Sequence, residues 1–260
     1  MSDAFDDDIA ACADAVSRGD PSRFRATMAA PAAARGVLFP VYAFNLEVAR
    51  APWVTNEPMI AEMRMQWWRD ALDEIATGAT VRRHMVATPL ARILDAKGAG
   101  LLDALIEARR DDIDGAPVPG EAGFGPYIAA TSGNLMLAAA RALGATEAGA
   151  VHDAGFAIGV ANWLRAVPAL DKAGRRTLPT DGDAAVREVA RDALDRLTRA
   201  RANRGQVSRA ARPALLPVWE AGPILRRAVR DPGAVAAGRL EPGPARSRLA
   251  LTARALSGRW

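Results

Sequence analysis

The stretch EPMIAEMRMQWWRDALDEIAT, Glu57 to Thr77, places Ile60, Met63, Trp67, Ala71 and Ile75 three or four residues apart. That spacing lays them along one stripe of an α-helix, and Met59, Trp68 and Leu72 widen the stripe into a face. Thr55 or Asn56 can cap the start, Pro58 is tolerated in a first turn, and Gly78 supplies the stop. Trp67 and Trp68 read as core packing, because aromatics at helical spacing usually supply burial.

The same periodicity recurs along the chain, and the alternation of β-branched and aromatic residues that marks strands is missing. Further helices are predicted at Ala4–Ser17, Pro31–Ala49, Pro89–Ala96, Leu101–Ile113, Gly123–Leu143, Glu147–Val167, Asp183–Ala202, Ser208–Trp219 and Pro244–Leu256. Pro- and Gly-rich joints fall at Gly115–Gly120, Gly222–Pro223 and Glu241–Pro244. With no linker and no repeat, residues 1–260 read as a single all-α domain, a bundle able to enclose a ligand cavity.

Half of the 260 residues are apolar and a quarter charged, as in ordinary globular proteins. Cys12 is the only cysteine, which excludes an intramolecular disulfide and a cysteine metal cage. The acidic start Met1–Asp8 does not resemble a secretory signal, and no run of eighteen apolar residues appears. A cytoplasmic location is expected, with peripheral contact to the inner membrane face also open. From Asp181 to Trp260 there are 16 Arg against 8 Asp plus Glu, a surplus of 8, while the first 180 residues carry −4. This Arg-rich third suits a solvated helix surface, an anionic membrane surface, a diphosphate or a protein partner. Its arginines alternate with Ala and Leu rather than with stacking aromatics, which argues against nucleic acid.

Two histidines, His84 and His152, are too few for a His-rich metal site, and the GxSxG, GxxxxGK[ST] and GxGxxG signatures are absent. Acidic clusters stand at Asp6–Asp8, at Asp70, Asp73 and Glu74, and at Asp111, Asp112 and Asp114. The first suits a helix N-terminus and the last a solvated helix end, while Asp70 and Glu74 share one polar helix face beside Arg69.

The segment Val41-Tyr42-Ala43-Phe44-Asn45, followed by Met63-Arg64-Met65-Gln66-Trp67-Trp68-Arg69-Asp70-Ala71-Leu72, resembles the first third of squalene and phytoene synthases. GVANWLRAVPALDKAGRRTLP, Gly159 to Pro179, is similar to their second signature, an N-x-x-R-D core leading to an arginine-rich loop and a closing Leu-Pro. The likeness covers roughly Phe24 to Arg204 and implies an isoprenoid synthase-type helical bundle with a central cavity. In that family two facing aspartate-rich motifs hold magnesium against prenyl diphosphates that are joined head to head. Cations clamped there would stabilise the charge developing on the leaving group.

This chain departs from the pattern where the metal would sit. The family's first motif places acids at the positions of Ala49, Arg50 and Trp53, and the second at those of Ala166 and Leu170. Asp171 is one residue off, a rotation of about 100° on a helix, and Thr177 stands in place of the usual tyrosine. The resemblance is nearest to a degenerate branch, similar to the mitochondrial complex I assembly factor with a phytoene synthase-like domain. It implies a non-catalytic or re-purposed isoprenoid- or lipid-binding protein, with no catalytic residue and no magnesium. Tyr42, Arg64, Asn162, Arg165, Arg175 and Arg176 would line what remains of the cavity, the arginines taking an anionic headgroup. Ala49, Trp53, Ala166 and Leu170 should border it with no acidic pair across it. The alternative is an active head-to-head prenyltransferase with a magnesium site rebuilt from Asp70, Asp73, Glu74, Asp111, Asp112 or Asp171.

Overall fold

The structure, a computed structural model, describes residues 3–55, 57–113, 123–145, 148–174, 178, 182–241 and 243–260. Among these there is no strand. The helices are α1 (Asp3–Gly19), α2 (Pro21–Ala29), α3 (Ala32–Arg50), α4 (Pro58–Thr77), α5 (Ala87–Leu90), α6 (Ala96–Arg109) and α7 (Phe124–Ile128). They continue with α8 (Asn134–Ala142), α9 (Gly149–Lys172), α10 (Asp183–Ala202), α11 (Ala221–Arg230), α12 (Gly233–Ala236) and α13 (Pro244–Ser257). Short 3₁₀ turns at Ala51–Trp53, Arg110–Asp112 and Arg212–Glu220 join them, and a π turn, Ala129–Gly133, links α7 to α8. No helix among the described residues is long and apolar enough to cross a membrane.

α9 is the central element. It packs against α8, α10, α11 and the π turn, and an almost unbroken run of its residues from Ala154 to Ala161 is buried. α3 packs against α1, α2 and α8 on the other side, burying Leu38 to Asn45. The two halves of the core close over α8. Contact between α9 and the π turn is tight: a Cβ on Gly159 would lie 2.5 Å from Ser132 Cβ, and one on Gly155 would lie 2.9 Å from the Ser132 carbonyl oxygen. Small residues four apart on α9 are therefore what let the two backbones approach.

α4 starts at Pro58 and ends on Gly78 at φ 72°, as its sequence requires. Its buried face is Ala61, Met65, Trp68, Ala71 and Leu72; Met59, Ile60 and Met63, which the periodicity assigns to the stripe, are exposed instead. Trp68 meets Phe44 edge-on at 5.2 Å, and Trp67, half-buried, meets Trp68 and His84 edge-on.

Other differences have local causes. α2 is absent from the helices expected, although Asp20 caps it through the Arg23 amide at 2.9 Å and Pro21 opens it. The helix expected at Pro89–Ala96 is only Ala87–Leu90, and α6 begins early, at Ala96, because Asp95 accepts from the Gly98 amide at 2.7 Å. α9 continues through Pro168 to Lys172. Pro213 and Pro217 hold Arg212–Glu220 in 3₁₀ form, and the joint expected at Gly222–Pro223 lies inside α11, where a first-turn proline loses no bond. The joint at Gly115–Gly120 lies outside the described residues.

Candidate functional site

α9, α3 and the π turn enclose a cavity of about 470 Å³, within the ~300–1,000 Å³ typical of small-molecule sites. Its apolar wall comes from Ile128, Leu135, Gly159, Trp163 and Ala169, joined by Ala49, Trp53, Ala166 and Leu170. The last four are the positions at which the two signatures would carry acids, so the fold does bring both motifs to one cavity. Among the described residues, none that lines the cavity is Asp or Glu. Arg50, the remaining position, is exposed and outside the lining. Asp171 is exposed while Leu170 faces the cavity, because α9 is still helical there.

The polar side of the wall is made by Asn45, Thr131, Ser132 and Asn162 with two cations, Arg23 and Arg109. Arg23 is held by Asp20 at 2.6 Å, and its guanidinium lies 5.5 Å from the centroid of the Tyr42 ring. Arg109 Nη1 donates to Asp112 at 3.1 Å and to the Tyr127 hydroxyl at 3.3 Å, while that hydroxyl donates to Asp112 at 2.9 Å. Burial holds the Tyr127 phenol above its ordinary range. Trp163 stacks edge-on against Tyr127 at 5.4 Å and Phe124 at 5.6 Å, fixing this rim. Two wall atoms, Arg109 Nε and Ser132 Oγ, are buried without a protein hydrogen-bond partner. The π turn presents Thr131 and Ser132 to the cavity, and Thr131 donates to the Tyr127 carbonyl at 2.7 Å.

A groove of about 630 Å³ adjoins the cavity, sharing Asn162 and Ala166 with it. Here Arg165 is engaged by Glu220 at 2.9 Å, Glu241 at 2.7 Å and Asn162 at 3.3 Å. Glu220 is 3% exposed and also accepts from the Ser22 hydroxyl. Burial pushes the Glu220 carboxyl above its ordinary range, against Arg165 and Ser22, which favour the charged form.

Of the residues expected to line the cavity, Asn162 does so. Arg165 lies in the adjoining groove with its charge taken up by two carboxylates. Tyr42 is buried behind Arg23, its hydroxyl donating to the Ala214 carbonyl at 3.4 Å, and is not in the lining. Arg64 is exposed on α4 and also outside the lining, because the helix turns its Met65–Trp68 face inward. Arg175 and Arg176 lie outside the described residues. Sequence reasoning misses Arg23, Asn45, Arg109 and Tyr127. The Asp20-Pro21 helix start is the signal for Arg23, and the Arg109–Asp112 spacing for the other rim.

The acidic clusters are otherwise occupied. Asp8 is buried and ion-paired with Arg83 at 2.9 Å. Arg69 spans Asp103 and Glu107, Arg82 forks onto Glu74, and Asp70 accepts from Gln66 at 2.7 Å. Asp112 is not a solvated helix end but part of the cavity rim, whereas Asp114 lies outside the described residues. Among the described residues no three His, Cys, Asp or Glu side chains are grouped to hold a metal ion.

The family model "Squalene/phytoene synthase" matches residues 16–182. Curated relatives include "NADH dehydrogenase (ubiquinone) complex I, assembly factor 6" of Bos taurus, 25% identical over 185 residues. A second is the Drosophila melanogaster homolog, 29% identical over 178 residues. Each match covers 65% of this chain and 52% of the relative, so the chain matches about half the length of these curated proteins. Among solved structures, a dehydrosqualene synthase in complex with ligand superposes with a TM-score of 0.78 at 16% identity, over 97% of this chain and 96% of that one. It shares the fold of this all-α cavity-bearing bundle. The chain belongs to the squalene/phytoene synthase family.

Proposed function

We propose that this protein has been re-purposed for binding: it holds an isoprenoid or lipid-like ligand in the central cavity and does not ionise a prenyl diphosphate. The observation that carries this reading is that Ala49, Trp53, Ala166 and Leu170 face one cavity with no carboxylate among its described lining residues. Magnesium prefers carboxylate oxygens. The donors offered here are amides and hydroxyls, and the carboxylates nearest the wall, Asp20 and Asp112, are already paired with Arg23 and Arg109. The residues present do not fit the metal. They suit a ligand with a hydrocarbon body and a polar end, the body against Trp53, Trp163 and Leu170. The end would meet Arg109 Nε and Ser132 Oγ, which have no protein partner.

The curated relatives are named as assembly factors of NADH dehydrogenase (ubiquinone) complex I. That likeness supports action through a protein partner, in the manner of an assembly factor.

The test is incubation of the protein with farnesyl or geranylgeranyl diphosphate and magnesium. Tryptophan fluorescence from Trp53 and Trp163 is expected to report saturable binding, with no diphosphate released above the protein-free rate. Magnesium-dependent release abolished by Asp171→Ala would replace this reading with the prenyltransferase one.

A further inference from the structure

Five large apolar side chains stand exposed within eleven residues: Trp53 and Val54 at the end of the 3₁₀ turn, and Met59, Ile60 and Met63 on the first two turns of α4. Each is between 41% and 75% exposed. The 3₁₀ turn and α4 pack together, so the five belong to one surface unit. α4 already has a buried face, and farther along its outer side carries Gln66, Asp70 and Asp73. The apolar exposure is therefore confined to one end of the helix, where a solvated surface would carry charges.

This face adjoins the cavity, because Trp53 is half exposed and also lines the wall. It is flanked by Arg50 and Arg64, both exposed, and neither ion-paired with a described residue. Of the two carboxylates in the stretch, Glu62 is neutralised by Arg110 at 3.1 Å, leaving Glu57 against these two cations.

We propose that the Trp53–Met63 face seats on an anionic lipid bilayer, so that the cavity mouth opens at the membrane. Trp at the headgroup level, Met and Ile reaching into acyl chains, and arginines at the margin match the chemistry of an interfacial anchor. The five side chains expose on the order of 500 Å², short of the ~800 Å² per partner that a stable protein interface buries. A fluid apolar phase asks for no such area and no matching shape. The docking stands on these surface residues alone; that the cavity's ligand enters and leaves through the bilayer rests additionally on the binding function proposed above.

The test is flotation of the full chain with vesicles of phosphatidylcholine and phosphatidylglycerol in equal amounts, carrying no isoprenoid. The wild type is expected to float. The double variant M59S/M63S should partition at least about tenfold more weakly. Both methionines are solvent-exposed, so the variant's thermal unfolding by circular dichroism should match the wild type. R209A/R212A, in the Arg-rich C-terminal third, should float like the wild type. Failure of the wild type to float, undiminished flotation of M59S/M63S, or loss only in R209A/R212A would each overturn the proposal. So would a dimer in sedimentation that M59S/M63S dissolves without any flotation, since the occupant is then a second copy. Flotation without saturable isoprenoid binding would leave the docking standing and overturn the cavity function.

Discussion

Replacing Gly159 by alanine tests whether the contact between α9 and the π turn sets the shape of the cavity. The added Cβ would lie 2.5 Å from Ser132 Cβ and 2.7 Å from Ile128 Cγ2. Ser132 Cβ is fixed to its backbone and cannot swing away, so the helices must separate or the π turn must shift. Overpacking costs about 1–3 kcal/mol, and a contact this short belongs at the upper end. Alanine recovers about 1 kcal/mol of helix propensity over glycine, so the net loss is about 2 kcal/mol. At ~2–4 °C per kcal/mol for a chain of this size, the melting temperature should fall by about 4–8 °C. Gly36 supplies the opposite sign: it lies inside α3, and a methyl group added to it would meet nothing within 4 Å, so Gly36→Ala should raise the midpoint by about 2–4 °C. Calorimetry of both variants reads the contrast directly. Adding Ser132→Gly to Gly159→Ala removes the nearest clashing atom and leaves only the Ile128 methyl group, which belongs to a side chain, so a double-mutant cycle should return a coupling of the order of 1 kcal/mol or more. If Gly159→Ala melts at or above the wild type, the reasoning that these backbones touch through glycine is wrong.

Two pH dependences follow from buried titratable groups. The Glu220 carboxyl is raised in the folded state mainly by burial, so the folded protein holds a proton that the unfolded chain releases. Stability should decline as pH rises from the ordinary glutamate value near ~4.3 through the raised one, and Glu220→Gln should flatten that decline in urea midpoints. His84 is lowered, chiefly by burial, and its Nδ1 accepts from the Val86 amide at 3.1 Å, a bond that a proton on that nitrogen would break. Its contribution should be full above the ordinary histidine value near ~6.5 and lost as pH falls below it. His84→Gln should shrink the drop in melting temperature between about pH 7.5 and 5.5, with His152, lowered in the same direction, supplying what remains.

The helices most legible in the sequence are those whose faces are buried by their neighbours throughout, such as α3 and α10. α4 is legible as a helix, but the orientation of its first turns is not. Met59 and Met63 fit the apolar stripe as well as Trp67 does, and only the arrangement of α3 and α6 decides that Met65 and Trp68 turn inward. Pro168 reads as a boundary, although the packing of Val167 and the cavity-facing Leu170 carries α9 past it. At the site, the two signature blocks locate Ala49, Trp53, Ala166 and Leu170 correctly because their spacing is a helical property. Which arginine reaches the cavity wall is a tertiary matter. Arg165 is claimed by Glu220 and Glu241, both far along the chain, while Arg23 and Arg109 arrive from elements outside either signature.

On the proposed binding function, Ala49, Trp53, Ala166 and Leu170 at the cavity wall have a physical logic of their own. Facing carboxylates in an enclosed cavity repel one another and lose hydration, and a bound cation is what compensates them. In a cavity that holds no cation, acids there would only destabilise the fold, and Ala49 and Ala166 carry no such cost. Trp53 and Leu170 go further. They place large apolar surface where ions would have been held, on the wall that also carries Ile128 and Trp163. Burying a hydrocarbon against such surface contributes about 25 cal/mol for each Å² removed from water, a gain shared by ground and transition states alike. Interactions of that kind tighten binding without speeding an ionisation step. On the proposed binding function, these side chains favour the cavity as a container, and the glycines at 155 and 159 let its walls approach.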